Sequence, residues 1–81
     1  MGAELFGETN KLYEFRKEKG LTLRALADMV GIPPTMLCRI EKGERIPEPE
    51  CVSEICDALG LKKNERAELF ISFGYMEISD P

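Results

Sequence analysis

Apolar residues in this chain return every three or four positions and do not alternate one by one. Leu12 and Phe15, with Tyr13 beside them, make the first stripe, and Leu26, Ala27 and Val30 the second. Leu37 and Ile40 make the third, Val52, Ile55, Cys56 and Leu59 the fourth, and Leu69 and Phe73, extended by Phe70, the fifth. This period places side chains on one face of an α-helix, and the lack of alternation argues against half-buried strands. A glycine follows each stripe, at positions 20, 31, 43, 60 and 74, where a left-handed residue closes a helix. The expectation is an all-α chain of five helices. The first runs from about Thr9, as its N-cap, to Lys19; the second runs from Leu23 to Val30 behind a Thr22 cap. The third ends before Gly43, the fourth starts near Pro49, and the fifth runs from about Lys63 to Phe73. Glu65 falls in the first turn of the fifth, where negative charge suits the helix dipole.

Two prolines, Pro33 and Pro34, stand where the third helix should begin. They do not break it. The N–H that proline lacks has no intrahelical partner at the first helical position, and the ring fixes φ near the helical value. The residue before a proline is pushed to extended geometry, as an N-cap requires. Pro33 is therefore the expected N-cap and Pro34 the first helical residue. The cost is a missing side-chain cap, worth about 1 kcal/mol.

Eighty-one residues, 43% of them apolar, suffice for one packed domain over 1–81 and are too apolar for a disordered tail. No apolar run approaches the roughly 18 residues of a membrane span, and Met1-Gly2-Ala3-Glu4 does not open a signal peptide. The expected location is cytoplasmic, with no membrane association. Cys38, Cys51 and Cys56 form no CxxC pair and read as reduced core residues. There is no histidine, which removes the commonest general base and metal ligand. No phosphate-cradling glycine pattern is present. The chain is expected to be no enzyme and to carry no metal or cofactor.

Charge changes the picture more than composition does. The net charge is −4, but residues 11–45 hold eight basic against five acidic residues, while residues 46–61 hold four acidic residues and no basic one. A basic front half can offer one face to a phosphate backbone although the chain as a whole is acidic.

Two short helices joined by Gly31 and a tight turn make a helix-turn-helix, about residues 22–42, followed by a fifth helix and tail at about 62–81. The chain resembles the Xre/Cro-type, lambda-repressor-like DNA-binding family. The resemblance covers about residues 11–61 and rests on "KGLT" at 19–22, "LADMVGI" at 26–32, "LCRIEKGERIP" at 37–47 and "ALGL" at 58–61. It implies that Ala27 is the small residue between the second and third helices, and that the third helix lies in the major groove of double-stranded DNA. Carried over residue by residue, the base-contacting positions are Pro34, Thr35 and Arg39, with Met36 and Cys38 close by. Arg39 can contact guanine through two hydrogen bonds, Thr35 can donate or accept, and Pro34 and Met36 offer apolar contact to thymine methyls. Phosphate contacts fall to Leu23 and Arg24 at the start of the second helix, and to Lys42 and Arg45 after the third. The family pattern also pairs Arg16 with Glu41. Leu23, Pro33, Pro34 and Glu44 depart from it, since the family often has polar or basic residues there.

Arg39 is either a base reader or a solvated helix residue, Cys38 a redox sensor or a neutral spacer, and Leu23 and Met36 partner contacts or partly buried packing. The fifth helix and its tail carry more apolar residues than one stripe needs: Phe70, Ile71, Tyr75, Met76 and Ile78. These are expected to form a homodimer interface, the alternative being a tail folded back on its own core. The functional expectation is a sequence-specific transcriptional regulator, a repressor, bound as a homodimer to a palindromic operator in a prokaryotic or phage circuit. The alternative is a protein-binding module on the same fold, an antitoxin or anti-repressor whose partner is another protein.

Overall fold

A computed structural model describes residues 10–75. Thr9, Met76 and Ile78, named above as a cap and as interface positions, lie outside the described residues. The helices are α1 (Lys11–Glu18), α2 (Leu23–Val30), α3 (Pro34–Glu41), α4 (Pro49–Leu59) and α5 (Lys63–Ser72), with no strand among the described residues. The fold class is the expected one: all-α, five helices, with α2 and α3 forming the helix-turn-helix.

Local chemistry explains most boundaries. Thr22 caps α2 by accepting the Ala25 N–H at 3.0 Å. Pro33 is extended (φ −66°, ψ 143°) and is the N-cap of α3, with Pro34 at its first position. The Pro33 carbonyl accepts the N–H groups of Met36 and Leu37 at 3.0 and 3.2 Å, so the helix starts without a side-chain cap. Gly31 ends α2 at φ 87°, a conformation that costs any other L-residue energy. Its N–H and that of Ile32 both donate to the Ala27 carbonyl, at 2.8 and 3.1 Å, which sets the tight turn. At α5 the Glu65 carboxylate accepts the Lys62 N–H at 2.8 Å, so this residue closes the first turn as well as suiting the dipole.

The core is one cluster drawn from all five helices. Leu12, Leu26, Ala27, Leu37, Ile40, Val52, Ile55, Cys56 and Leu69 are fully buried, and Phe15, Leu59, Leu61 and Phe73 nearly so. The α2 helix packs on α3 and α4, α4 on α5, and α1 on α3 and α5. Ala27 is fully buried where α2 meets this core, in the close-packed interior where small residues let helices approach.

Several expectations are corrected. The N-cap of α1 is Asn10, whose Oδ1 accepts the Tyr13 N–H at 3.2 Å, so the helix begins one residue later than Thr9 would place it. Tyr13 is not a core residue; its half-buried ring lies under two cations, Arg16 at 5.3 Å and Lys17 at 5.8 Å. Val30 is half-buried. Of the three cysteines, all free, only Cys56 is fully in the core, while Cys38 and Cys51 are half-exposed. An eight-residue helix buries a narrow stripe, and the positions beside it remain partly wet.

Candidate nucleic-acid interface

The α3 helix divides cleanly by face. Leu37 and Ile40 point into the core, while Thr35 and Arg39 are exposed. Pro34, Met36 and Cys38 are half-buried at the margin, with Met36 packed against the core cluster. Lys42 follows as the exposed C-cap, and Arg45 is exposed in the next loop. At the start of α2, Arg24 is exposed and Leu23 half-buried. The N–H groups of Leu23 and Arg24 have no acceptor among the described residues, as expected for the first positions of a helix. An open depression of about 380 Å³ lies beside them, lined by Arg16, Lys17, Gly20, Leu21, Thr22 and Leu23.

Electrostatics separate two kinds of cation here. No ion pair joins Arg24, Arg39, Lys42 or Arg45 to another described residue. Arg16 is instead buried against Glu41. Its Nε donates to Oε2 at 2.6 Å and its Nη2 to Oε1 at 3.0 Å, with the two side chains 10% and 7% exposed. Its Nη1 donates to the Leu21 carbonyl at 2.9 Å, so all three guanidinium nitrogens are used. The hydrogen bonds to Glu41 raise the Arg16 pKa further above its already high value, outweighing the opposite effect of burial. The pair thus withdraws the negative charge of Glu41 from the exposed side of α3. Glu44 remains as the one exposed carboxylate between Lys42 and Arg45.

Two tethers were not foreseen from sequence. The Asn10 side-chain amide donates to the Ile40 carbonyl at 2.8 Å while its oxygen caps α1, so one residue ties the start of α1 to the end of α3. The Tyr75 hydroxyl donates to the Pro47 carbonyl at 2.7 Å, and its ring meets Phe70 edge-on at 6.3 Å. The only local hint of the first was a cap-forming side chain beside Thr9; nothing local marks the second. Of the proposed interface residues, Phe70 and Tyr75 therefore pack partly on their own core, while Ile71 is 55% exposed. Arg16 and Glu41 come together. The described residues hold no acidic or thiol cluster suited to a metal ion, and no described helix is long and apolar enough to cross a membrane.

Comparison with known proteins places this geometry. A family model described as helix-turn-helix matches residues 12–65. An uncharacterised HTH-type transcriptional regulator from Bacillus subtilis, YazB, is 34% identical over 67 residues, covering 83% of this chain and 94% of its own. Among solved structures, the clp gene regulator ClgR from Corynebacterium glutamicum superposes with a TM-score of 0.67 at 33% identity, covering 78% of each chain. The restriction-modification controller protein C.AhdI from Aeromonas hydrophila gives a TM-score of 0.65 at 27% identity, over 69% of this chain and 85% of that one. The sequence motifs, the α2–turn–α3 geometry and these relatives agree: the chain belongs to the Xre/Cro-type helix-turn-helix family of DNA-binding transcriptional regulators, which is not a family of enzymes.

Proposed function

We propose that this chain is a sequence-specific repressor that binds a palindromic operator as a homodimer in the cytoplasm. The observation that carries the reading is the division of α3. Thr35 and Arg39 stand exposed on one side, and the acidic residue of that helix, Glu41, is locked to Arg16. In this reading α3 enters the major groove, where Arg39 takes a guanine edge and Thr35 a neighbouring base. Pro34 and the free edges of Met36 and Cys38 meet thymine methyls or fill space. The Leu23 and Arg24 N–H groups, Lys42 and Arg45 hold phosphates on either side and fix the docking angle.

One recognition helix reads only a few base pairs, too few to single out a site in a genome. Two copies related by a two-fold axis place two α3 helices about 34 Å apart, one turn of DNA. Ile71 and the exposed part of Phe70, with the remaining edge of Tyr75 and with Met76 and Ile78, supply the contact. Occupying such an operator denies it to other proteins, which is repression by exclusion.

The alternative, an antitoxin or anti-repressor module, is not favoured, because the relatives that this chain matches are transcriptional regulators. Selection of bound fragments from a random DNA pool, at two salt concentrations, tests the proposal. Enrichment of a two-fold symmetric sequence that survives the higher salt is expected. A pool that stays random at both salts contradicts it.

A further inference from the structure

A second surface of the molecule has a different character from the α3 face. Between α2 and α4 runs an open groove of about 610 Å³, lined by Met29, Val30, Glu54, Asp57 and Ala58. Its apolar side is Met29, Val30 and Ala58. Met29 is 55% exposed, as are Ile46 and Ile71 to a similar degree, but it alone of the three lines this groove. Its charged side is Glu54 and Asp57. Asp57 shares its charge with Arg66 through a contact of 2.9 Å but keeps a side chain 70% exposed, and Glu54 has no ion-pair partner among the described residues.

The backbone adds to the same sign. Met29 and Val30 are the last residues of α2, and Asp57 and Ala58 lie in the last turn of α4, so both helices present their C-terminal ends here. A helix C-terminus carries partial negative charge that a cation stabilises, usually a lysine or arginine of the same last turn. Neither α2 nor α4 has a basic residue in its last turn. Glu54, an Asp57 that Arg66 only partly covers, and two helix ends with no basic residue of their own therefore surround an exposed apolar strip.

We propose that this groove docks a basic, apolar-faced segment of a partner protein, with lysine or arginine side chains over Glu54 and the two helix ends and apolar side chains against Met29 and Ala58. The shape favours a macromolecule over a small ligand, since the groove is open and not enclosed. The ends of this chain are poor occupants. Residues 1–9 contain Glu4 and Glu8, residues 76–81 contain Glu77 and Asp80, and neither stretch has a lysine or arginine. The groove and the exposed side of α3 share no lining residue.

The test is an NMR titration of the full, isotope-labelled chain with two synthetic helical peptides. Both carry leucine along one face; the other face is lysine in one peptide and glutamate in the other. The expected result is that the lysine peptide shifts the amides of Met29, Val30, Glu54, Asp57 and Ala58 and the glutamate peptide does not. Glu54→Lys and Met29→Asp, both at exposed positions, should each weaken the lysine peptide about fivefold or more while the rest of the amide spectrum stays in place. Equal binding of both peptides, shifts centred on α3 or α5, or no saturable shift at these amides would overturn the proposal. So would groove shifts that grow with protein concentration and no peptide, since a second copy would then be the occupant.

Discussion

Arg16 gives every guanidinium nitrogen to a partner, two to Glu41 and one to the Leu21 carbonyl. Removing it leaves the Glu41 carboxylate buried without a counter-charge, the costly way to break such a pair. Arg16→Met should cost about 3–5 kcal/mol, which for a domain of this size lowers the thermal midpoint by more than about 10 °C. Replacing both partners with apolar residues should recover much of the loss, because the unpaired charge is then gone. Calorimetry on the single and double variants checks both outcomes. Cys56 and Cys51 make a different statement about charge. Burial is the main cause that pushes both thiols up in pKa, aided at Cys51 by Glu54 and partly opposed at Cys56 by Arg66. The unfolded chain then ionises these thiols first. Their contribution to stability is whole below about pH 8.5, where an unfolded thiol begins to ionise, and is lost as the pH rises through the higher folded values. Urea melts from pH 8 to 10 should therefore show stability falling with pH, with a shallower slope in Cys56→Ala whatever its starting stability.

At the scale of elements, Gly31 is the hinge of the helix-turn-helix. A Cβ built there meets nothing within 4 Å, so the cost of a side chain comes from the φ of 87° alone. Gly31→Ala should destabilise by about 1 kcal/mol with the fold retained, measurable as a lower urea midpoint with an unchanged slope. This element was legible in the chain because its determinants are local: a threonine cap, a glycine stop, two prolines at a start and apolar residues three apart. The start of α1 was not. Thr9 and Asn10 are both competent caps, and the choice falls to Asn10, whose amide also reaches the Ile40 carbonyl thirty residues away. Tyr13 looked like part of a stripe but lies under Arg16 and Lys17, an arrangement that spacing does not encode. Composition marks the tail as apolar surplus and cannot show that the Tyr75 hydroxyl finds the Pro47 carbonyl. The nucleic-acid face was half legible. Periodicity separates Leu37 and Ile40 from Thr35 and Arg39, but the link between Arg16 and Glu41 came from the family pattern and not from any spacing.

At the scale of the whole molecule, a protein of net charge −4 can approach DNA only if its charges are sorted. Here Arg24 and Arg39 are exposed on α2 and α3 and Lys42 and Arg45 follow α3, while the carboxylates of α4 lie on another element. The proposed dimer uses α5, which leaves both recognition helices free. Ile71 is the most exposed apolar residue of that helix, so Ile71→Asp should shift a monomer–dimer equilibrium to monomer in the ultracentrifuge with helical content intact. A wild-type chain that stays monomeric at high concentration removes the dimer. Whether α3 reads bases is decided at Arg39. The most direct measurement is binding of wild type and Arg39→Ala to the selected operator and to random DNA, with Lys42→Ala as the control. Arg39→Ala should cost about 1–3 kcal/mol on the operator alone and relax preference at one base position in each half-site. Lys42→Ala should weaken all sequences alike and lower the salt slope by about 1. Equal losses on operator and random DNA for Arg39→Ala would contradict base reading by α3.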